Sequence, residues 1–281
     1  MKSPAPDPVP DMGSADRLTA LPIAHRGLHD LSADVIENTA AAFSAAVAAG
    51  YGIETDLQIS ADGEAMVHHD DALGRLTEGS GTLAEMSAGQ IQAVRFKAGG
   101  GRILTLGELC GIVGGRVTLL LELKSHFDGN LRLVERAVEV LKSYAGPVAV
   151  MSFDPDLIEA ARHAAPTLRR GIVAERNYSH PEWNKLPRVR KQNMAWLLHA
   201  PRSRPQFIAY SVRDLPAVAP LIARGIFGVP LLTWTVRSED DRRRASRWAD
   251  QIIFEGWRPE GRGREPGATP LREIDRRSRW V

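Results

Sequence analysis

The sequence predicts an α/β fold built on a parallel sheet, with strands enough to close a (β/α)₈ barrel. Three observations carry that reading. Short β-branched apolar runs alternate with helix-like segments, eight such runs can be counted, and 281 residues is a size at which such barrels form one domain.

The strand-like runs are Leu21–His25, Tyr51–Gln58, Val117–Lys124, Val148–Phe153, Arg170–Val173, Gln206–Tyr210, Leu231–Val236 and Gln251–Phe254. Helical patterns lie between most of them, at Thr39–Ala49, Leu131–Ser143, Asp156–Ala165, Leu215–Ala223 and Ser238–Trp248. Such alternation requires crossovers and hence parallel pairing. A doubly wound open sheet alternates in the same way, so the count alone leaves both topologies standing.

A ninth run, Ala65–His69, follows the tight-turn dipeptide Asp62-Gly63. It is too close to the second strand for a helical crossover and reads as its hairpin partner, projecting chemical groups rather than adding a stave. Residues 70–116 are Gly-rich, with helical pieces near Thr82–Val94 and Leu106–Ile112, and read as a small insertion at the barrel mouth. Residues 177–205 hold four prolines, two histidines and two tryptophans, and read either as a loop over a site or as a plain surface excursion.

The barrel proper is expected over residues 20–258. Met1–Thr19 has four prolines, three aspartates and no apolar h-region, so it reads as a flexible leader and not as a secretory signal. No stretch approaches the roughly eighteen apolar residues of a membrane span, which makes a soluble, by default cytoplasmic, protein the expectation. The single Cys110 excludes an internal disulfide, fits a reducing compartment and argues against structural zinc. A net charge of +2 excludes a whole-molecule polyanion binder. The local run Arg242, Arg243, Arg244 and Arg247 reads as a solvated helix face, and residues 259–281, with Arg276, Arg277 and Arg279, as a basic tail. No stacking platform or groove-reading motif accompanies these arginines, so nucleic acid is not an expected partner. No pattern speaks to oligomeric state.

The first strands end in charge. Ile23-Ala24 leads to His25-Arg26-Gly27, the second strand closes Ile53-Glu54-Thr55-Asp56, the hairpin run closes Val67-His68-His69-Asp70, and the third closes Leu121-Glu122-Leu123-Lys124. Parallel α/β folds gather their sites at the carboxyl ends of strands, so these groups point to one mouth. Side chains alternate along a strand, so Glu54 and Asp56 share a face about 6.5–7 Å apart. Both can converge on one ion, with Glu122 from the next barrel strand as a third oxygen donor. Three carboxylates without cysteine favour one hard divalent cation, Mg²⁺ or Ca²⁺, over zinc. Singly, each charged strand end is an ordinary exit to solvent; together they make a site.

The order and spacing of eight elements resemble the glycerophosphodiester phosphodiesterase family of bacterial type. They are His25-Arg26-Gly27, Glu37-Asn38-Thr39, Glu54-x-Asp56, His69-Asp70, Leu73-x-Arg75-x-Thr77, Glu122-x-Lys124, Ser152-Phe153 and Trp234-Thr235-Val236. The likeness runs from about Ile23 to Phe254. It implies a TIM-type barrel and hydrolysis of glycerophosphodiesters to sn-glycerol 3-phosphate and an alcohol. It further implies Glu54, Asp56 and Glu122 as metal ligands, His25 and His69 as the acid–base pair, and Glu37 and Asn38 as supports, although Asn38 or Thr39 equally suits a helix N-cap. After the last strand the family shows a Thr-Asp pair and soon a Pro. This chain instead has Phe254-Glu255-Gly256-Trp257, in which Glu255 can stand in for the aspartate while Trp257 adds bulk near the expected substrate entrance, a departure that leaves the metal site intact and the substrate open.

Cleaving a phosphodiester requires charge neutralisation, an activated nucleophile and a protonated leaving group. Arg26 and Lys124 are the expected phosphate cations, the first as a fork and the second as a point charge. The nucleophile is either water or a neighbouring substrate hydroxyl that first forms a cyclic phosphate. Strand alternation reads Trp234 as core, whereas the resemblance implies that it lines the pocket and packs against the glycerol carbons; Phe153 carries the same two readings, and Ser152 reads as a substrate-touching hydroxyl or a helix cap. A phospholipase D-like or cyclising lyase acting on lysophospholipid or sugar phosphodiesters would use the same groups but need an apolar channel. A non-catalytic binding barrel would be expected to have lost a histidine or a ligand, and all five are present.

Overall fold

The computed structural model describes residues 14–259. Its strands are β1 (Ile23–His25), β2 (Gly52–Ile59), β3 (Ala65–Val67), β4 (Leu104–Thr105), β5 (Leu119–Leu123), β6 (Val148–Ser152), β7 (Arg169–Ala174), β8 (Phe207–Ser211), β9 (Leu231–Val236) and β10 (Gln251–Phe254). Eight of them pair in parallel in the order β1, β2, β5, β6, β7, β8, β9, β10, and β10 closes back on β1 through Ile23 opposite Ile253. The sheet is therefore a closed (β/α)₈ barrel, which settles the topology that strand counting left open.

The helices are α1 (Ser14–Ala20), α2 (Ala40–Ala48), α3 (Ala88–Ala93), α4 (Leu106–Val113), α5 (Arg132–Leu141), α6 (Pro155–Ala164), α7 (Arg188–Ala195), α8 (Ala200–Ser203), α9 (Val218–Phe227) and α10 (Glu239–Trp248). None is long and apolar enough to cross a membrane. Strands such as β5, whose five residues are all buried, are covered on both faces, as parallel barrel strands must be. The barrel interior is filled by Leu120, Met151, Val173, Phe207 and Leu232, and a second apolar layer lies between sheet and helices.

Several expected boundaries are corrected. The leader does not extend to Thr19: α1 begins at Ser14, Leu18 is buried within the barrel-interior cluster, and Thr118 Oγ1 donates to the Arg17 carbonyl. The remainder of the leader and nearly all of the basic tail lie outside the described residues. β3 stops at Val67, so His68 and His69 stand beyond the hairpin strand. The helical pattern 82–94 is two pieces, a 3₁₀ turn at Leu83–Glu85 and α3, because Met86 is extended and Ser87 opens a new capping box with Gln90. The insertion is also shorter than expected. α4 packs beside α2 and α5, with Leu106, Leu109 and Val113 in the main core, so it is a helix of the barrel ring and not of the mouth. The helix drawn at 215–223 runs instead from Val218 to Phe227. Pro216 keeps its start from moving earlier, and Gly228, at φ +64°, ends it. On α10, Arg242, Arg243 and Arg247 form a solvated face, with Arg242 and Arg243 paired to Glu239 and Asp240 one turn back, whereas the half-buried Arg244 donates to the Val212 carbonyl.

Candidate active site

Strand register assembles the acids. His25 of β1 lies opposite Glu54 of β2, and Asp56 lies opposite Glu122 of β5. Parallel neighbours in register project to the same face, and one carboxylate oxygen from each of Glu54, Asp56 and Glu122 lies within 4.8 Å of the other two. All three residues are buried. Burial, reinforced by repulsion from Asp56 and Glu122, pushes the Glu54 carboxyl well above its ordinary range. Burial acts upward on Asp56 too, but Lys124 and Arg26 outweigh it and hold that carboxyl low.

Two cations serve this group. Lys124 Nζ lies 2.7 Å from Glu122 Oε1 and 2.9 Å from Asp56 Oδ1. Arg26, at φ +56°, turns its main-chain N–H onto Glu54 Oε2 at 3.2 Å and sets its Nε 3.4 Å from Asp56 Oδ2. Asn38, also in the left-handed region, donates to Asp56 Oδ2 at 3.0 Å and accepts from Thr55 Oγ1 at 2.7 Å. The helix cap falls instead to Thr39, whose side chain accepts from Ala42 N at the start of α2. Two cations against three carboxylates leave a negative charge over, and the buried Asp56 Oδ1 has an ion pair but no hydrogen bond. An all-oxygen donor set with excess negative charge is what a hard divalent cation requires.

The two histidines flank the acids, each oriented from behind. His25 Nδ1 meets Glu255 Oε2 at 2.6 Å, and Arg237 Nη2 donates to the same oxygen at 2.8 Å. His69 Nδ1 meets Asp70 Oδ1 at 2.8 Å, and Arg75 Nε donates to Asp70 Oδ2 at 2.6 Å. Arg75 and Arg26 both grip Glu37 Oε1, at 2.6 and 2.7 Å, which ties one histidine's support to Arg26 beside the acids. Burial works upward on Glu255 and Asp70, but their histidine and arginine partners hold both well below the usual carboxylate range. Burial lowers His25 to about 4 against the raising effect of Glu255, so its ring is neutral near pH 7. A carboxylate at Nδ1 selects the Nδ1–H tautomer and leaves Nε2 as the acceptor. His25 Nε2 lies 3.9 Å from Glu54 Oε2, facing the acids.

These groups form one side of a cavity of about 640 Å³ at the carboxyl ends of the strands. The other side is aromatic. Phe153, just after β6, packs against Trp183 at 4.8 Å between ring centroids and against Trp234 at 5.6 Å. Trp183 belongs to the 177–205 segment, which is therefore no surface excursion: a 3₁₀ turn at Pro181–Lys185 and α7 fold it over the mouth, burying Tyr178, Trp183 and Met194 together. Trp234 satisfies both of its readings, since its Nε1 donates to the Ala209 carbonyl at 3.0 Å while it also lines the cavity.

Ser152 lines the cavity by position, but its buried hydroxyl is committed. It donates to the Leu123 carbonyl at 2.6 Å and accepts from Asp154 N at 3.1 Å, which locks the β6–α6 corner. Asp154, not Ser152, caps α6. His68 is buried behind the site, outside the cavity lining, with its main-chain N–H donating to the Asp56 carbonyl at 3.1 Å and its Nε2 without a hydrogen bond. All the other expected site residues converge on the cavity or on groups that hold it.

The reading from sequence overlooked Gln58, Arg237, Trp183, Phe127 and Glu175, all of which line the cavity. Gln58 was within reach, being two residues beyond Asp56 on the same strand face; it donates to the His69 carbonyl at 3.0 Å. Arg237 and Glu255 are far from His25 in sequence, and only barrel closure brings them to it.

Comparisons with known proteins agree with the fold. The model of the glycerophosphoryl diester phosphodiesterase family matches residues 25–255. A protein of Caldanaerobacter subterraneus named glycerophosphodiester phosphodiesterase is 30% identical over 247 residues, covering 84% of this chain and 94% of its own. Among solved structures, an Oleispira antarctica phosphodiesterase in complex with the product sn-glycerol-3-phosphate superposes with a TM-score of 0.69. It is 22% identical, and the match covers 85% of this chain and 94% of that one. A putative glycerophosphoryl diester phosphodiesterase from Silicibacter pomeroyi gives a TM-score of 0.66 at 25% identity, covering 83% and 88%.

Proposed function

The chain belongs to the glycerophosphoryl diester phosphodiesterase family, and we propose that it hydrolyses glycerophosphodiesters to sn-glycerol 3-phosphate and an alcohol, with His25 and His69 dividing the acid and base roles. One observation carries the reading: two histidines, each held at Nδ1 by its own carboxylate, flank a buried triad of acids in a single cavity.

Glu54, Asp56 and Glu122 would hold one divalent cation, Mg²⁺ or Ca²⁺, which supplies charge neutralisation for the phosphate when bound. Lys124 and Arg26 add fixed positive charge beside the same oxygens. With its Nδ1–H committed to Glu255, His25 offers Nε2 to a proton, and His69 is set in the same way by Asp70. One imidazole takes the proton of the attacking hydroxyl while the other returns one to the departing alcohol oxygen, each transfer being worth about 10²–10⁴ in rate.

The test is release of sn-glycerol 3-phosphate from a panel of glycerophosphodiesters, with EDTA and then with Mg²⁺ or Ca²⁺ restored. A lysophospholipid belongs in the panel, because turnover confined to it would favour the phospholipase D-like reading. Chelator-sensitive release from soluble diesters is the expected result, and no release with either metal would overturn the proposal.

A further inference from the structure

The aromatic side of the cavity carries an acid that the hydrolytic chemistry does not use. Glu175 follows the carboxyl end of β7 and lines the cavity. Each of the other five acids lining it has a lysine, arginine or histidine at ion-pair distance. Among the described residues Glu175 has none. Its neighbour Arg176 is turned away, donating from Nη2 to the carbonyls of Asp214 at 2.9 Å and Pro216 at 2.6 Å. Lys185, on the same wall, makes no ion pair with it. Burial, with Asp214 adding repulsion, pushes the Glu175 carboxyl upward, and the opposing effects of Trp183 and His180 do not offset it.

Beside this acid stands the aromatic wall. Phe153 and Trp234 meet edge to face at an interplanar angle of 86°, and both are only half-buried, so ring surface remains open to the cavity. The Trp183 indole stands close enough to the Glu175 carboxyl to favour its charged form, which joins the acid to this wall. The wall already takes one cation on its outer end, the Arg190 guanidinium lying 4.9 Å from the Phe127 ring centroid. Aromatic faces joined to an unpaired carboxylate attract a positive charge by quadrupole and by Coulomb attraction together, and poorly hydrated ammonium groups benefit most. An anionic group would meet Glu175 and be repelled.

We propose that Glu175 with Phe153, Trp183 and Trp234 forms a subsite for a cationic head group, a quaternary or primary ammonium carried by the leaving alcohol. The assignment rests on the hydrolase reading for its catalytic consequence, but not for binding. It sets the triad with Lys124 and Arg26 on one side of the cavity for the phosphate, and Glu175 with the aromatic wall on the other for the head group, an arrangement that sets the orientation of the diester.

The test uses the full chain with Mg²⁺ or Ca²⁺ and compares kcat/KM for the choline diester of glycerol phosphate with that for the uncharged glycerol diester. Wild type is expected to favour the choline diester about tenfold, and Glu175→Gln, checked for an unchanged Tm, to bring the ratio near one. A wild-type ratio near one, or a ratio untouched by Glu175→Gln, would overturn the proposal. Binding is read separately, by quenching of tryptophan fluorescence with choline and with its uncharged isostere 3,3-dimethylbutan-1-ol. If no diester is turned over, the hydrolase reading fails, yet tighter binding of choline that Glu175→Gln abolishes still supports the subsite. Equal binding of the two probes would sink it.

Discussion

The His25 imidazole and the Glu255 carboxylate meet at 2.6 Å across 230 residues of sequence. The partner comes from the segment just after β10, where the chain departs from its family's usual Thr-Asp pair. Glu255 is in turn gripped by Arg237 after β9. The arrangement repeats at His69 with Asp70 and Arg75, so both histidines have the same three-part build, one local in sequence and one assembled by closure of the barrel.

Because Glu255 acts through His25, its removal should fall on the chemical step. Glu255→Gln is expected to lower kcat about 10–100-fold with little change in KM, and Glu255→Asp to restore part of the loss. Steady-state kinetics on any diester that wild type hydrolyses would decide it. A loss confined to KM would show that Glu255 contacts substrate rather than positioning the histidine.

Three buried carboxylates facing two cations predict that a divalent ion stabilises the fold. At about a hundredfold excess over Kd the gain is about 2.7 kcal/mol, which should raise Tm by several degrees. Thermal melts in EDTA and in Mg²⁺ or Ca²⁺ check this. Glu122→Gln should shrink the shift, and identical melts for wild type in all three conditions would count against a metal at the triad.

Gly171 of β7 sits against the Phe207 ring inside the barrel. A Cβ added there would lie 2.2 Å from Phe207 Cε2 and 2.4 Å from Cζ, and Phe207 is fully buried with no room to withdraw. Gly171→Ala is therefore expected to destabilise by about 1–3 kcal/mol or more, read from a urea midpoint. A variant as stable as wild type would mean that the barrel interior yields more readily than its packing indicates.

His199 lies away from the active site, its Nδ1 2.9 Å from Ser203 Oγ. Burial, with Arg202 adding repulsion, lowers its imidazole from 6.5 to about 4. Between those values the unfolded chain binds more protons than the folded one, so stability falls as pH drops from about 6.5 towards 4. His199→Gln should flatten that part of the stability profile. Urea midpoints at pH 7 and at pH 4.5, compared between variant and wild type, measure the difference; parallel profiles would exclude His199 as a source.

The readable and unreadable parts of this protein separate by how local their causes are. β-Branched runs, the Asp62-Gly63 turn and the capping signals at Thr39 and Ser238 act within a few residues, so strands and most helices were legible. Glu54 and Asp56 were legible for the same reason, alternation along one strand. α9 was misplaced because burial of Leu215 outside the helix, next to Pro216, outweighs its helical pattern. The 177–205 segment carries little apolar periodicity, since its helices are short and α7 buries only Met194, while Tyr178 and Trp183 fill the space beside Phe153.

The sequence by itself determined the alternation of strands and helices, the acids and histidines at strand ends, and the hard-cation chemistry they suit. Those follow from covalent order and from side-chain spacing along single elements. Only the tertiary structure decided that the sheet closes, that Glu255 and Arg237 stand behind His25, that the Ser152 hydroxyl is spent on a backbone corner, and that Trp183 and Glu175 build the far wall of the cavity. Each depends on which distant strands become neighbours. That choice is made by burial of the whole apolar interior and by one closing register, Ile23 beside Ile253, rather than by any residue's own preference.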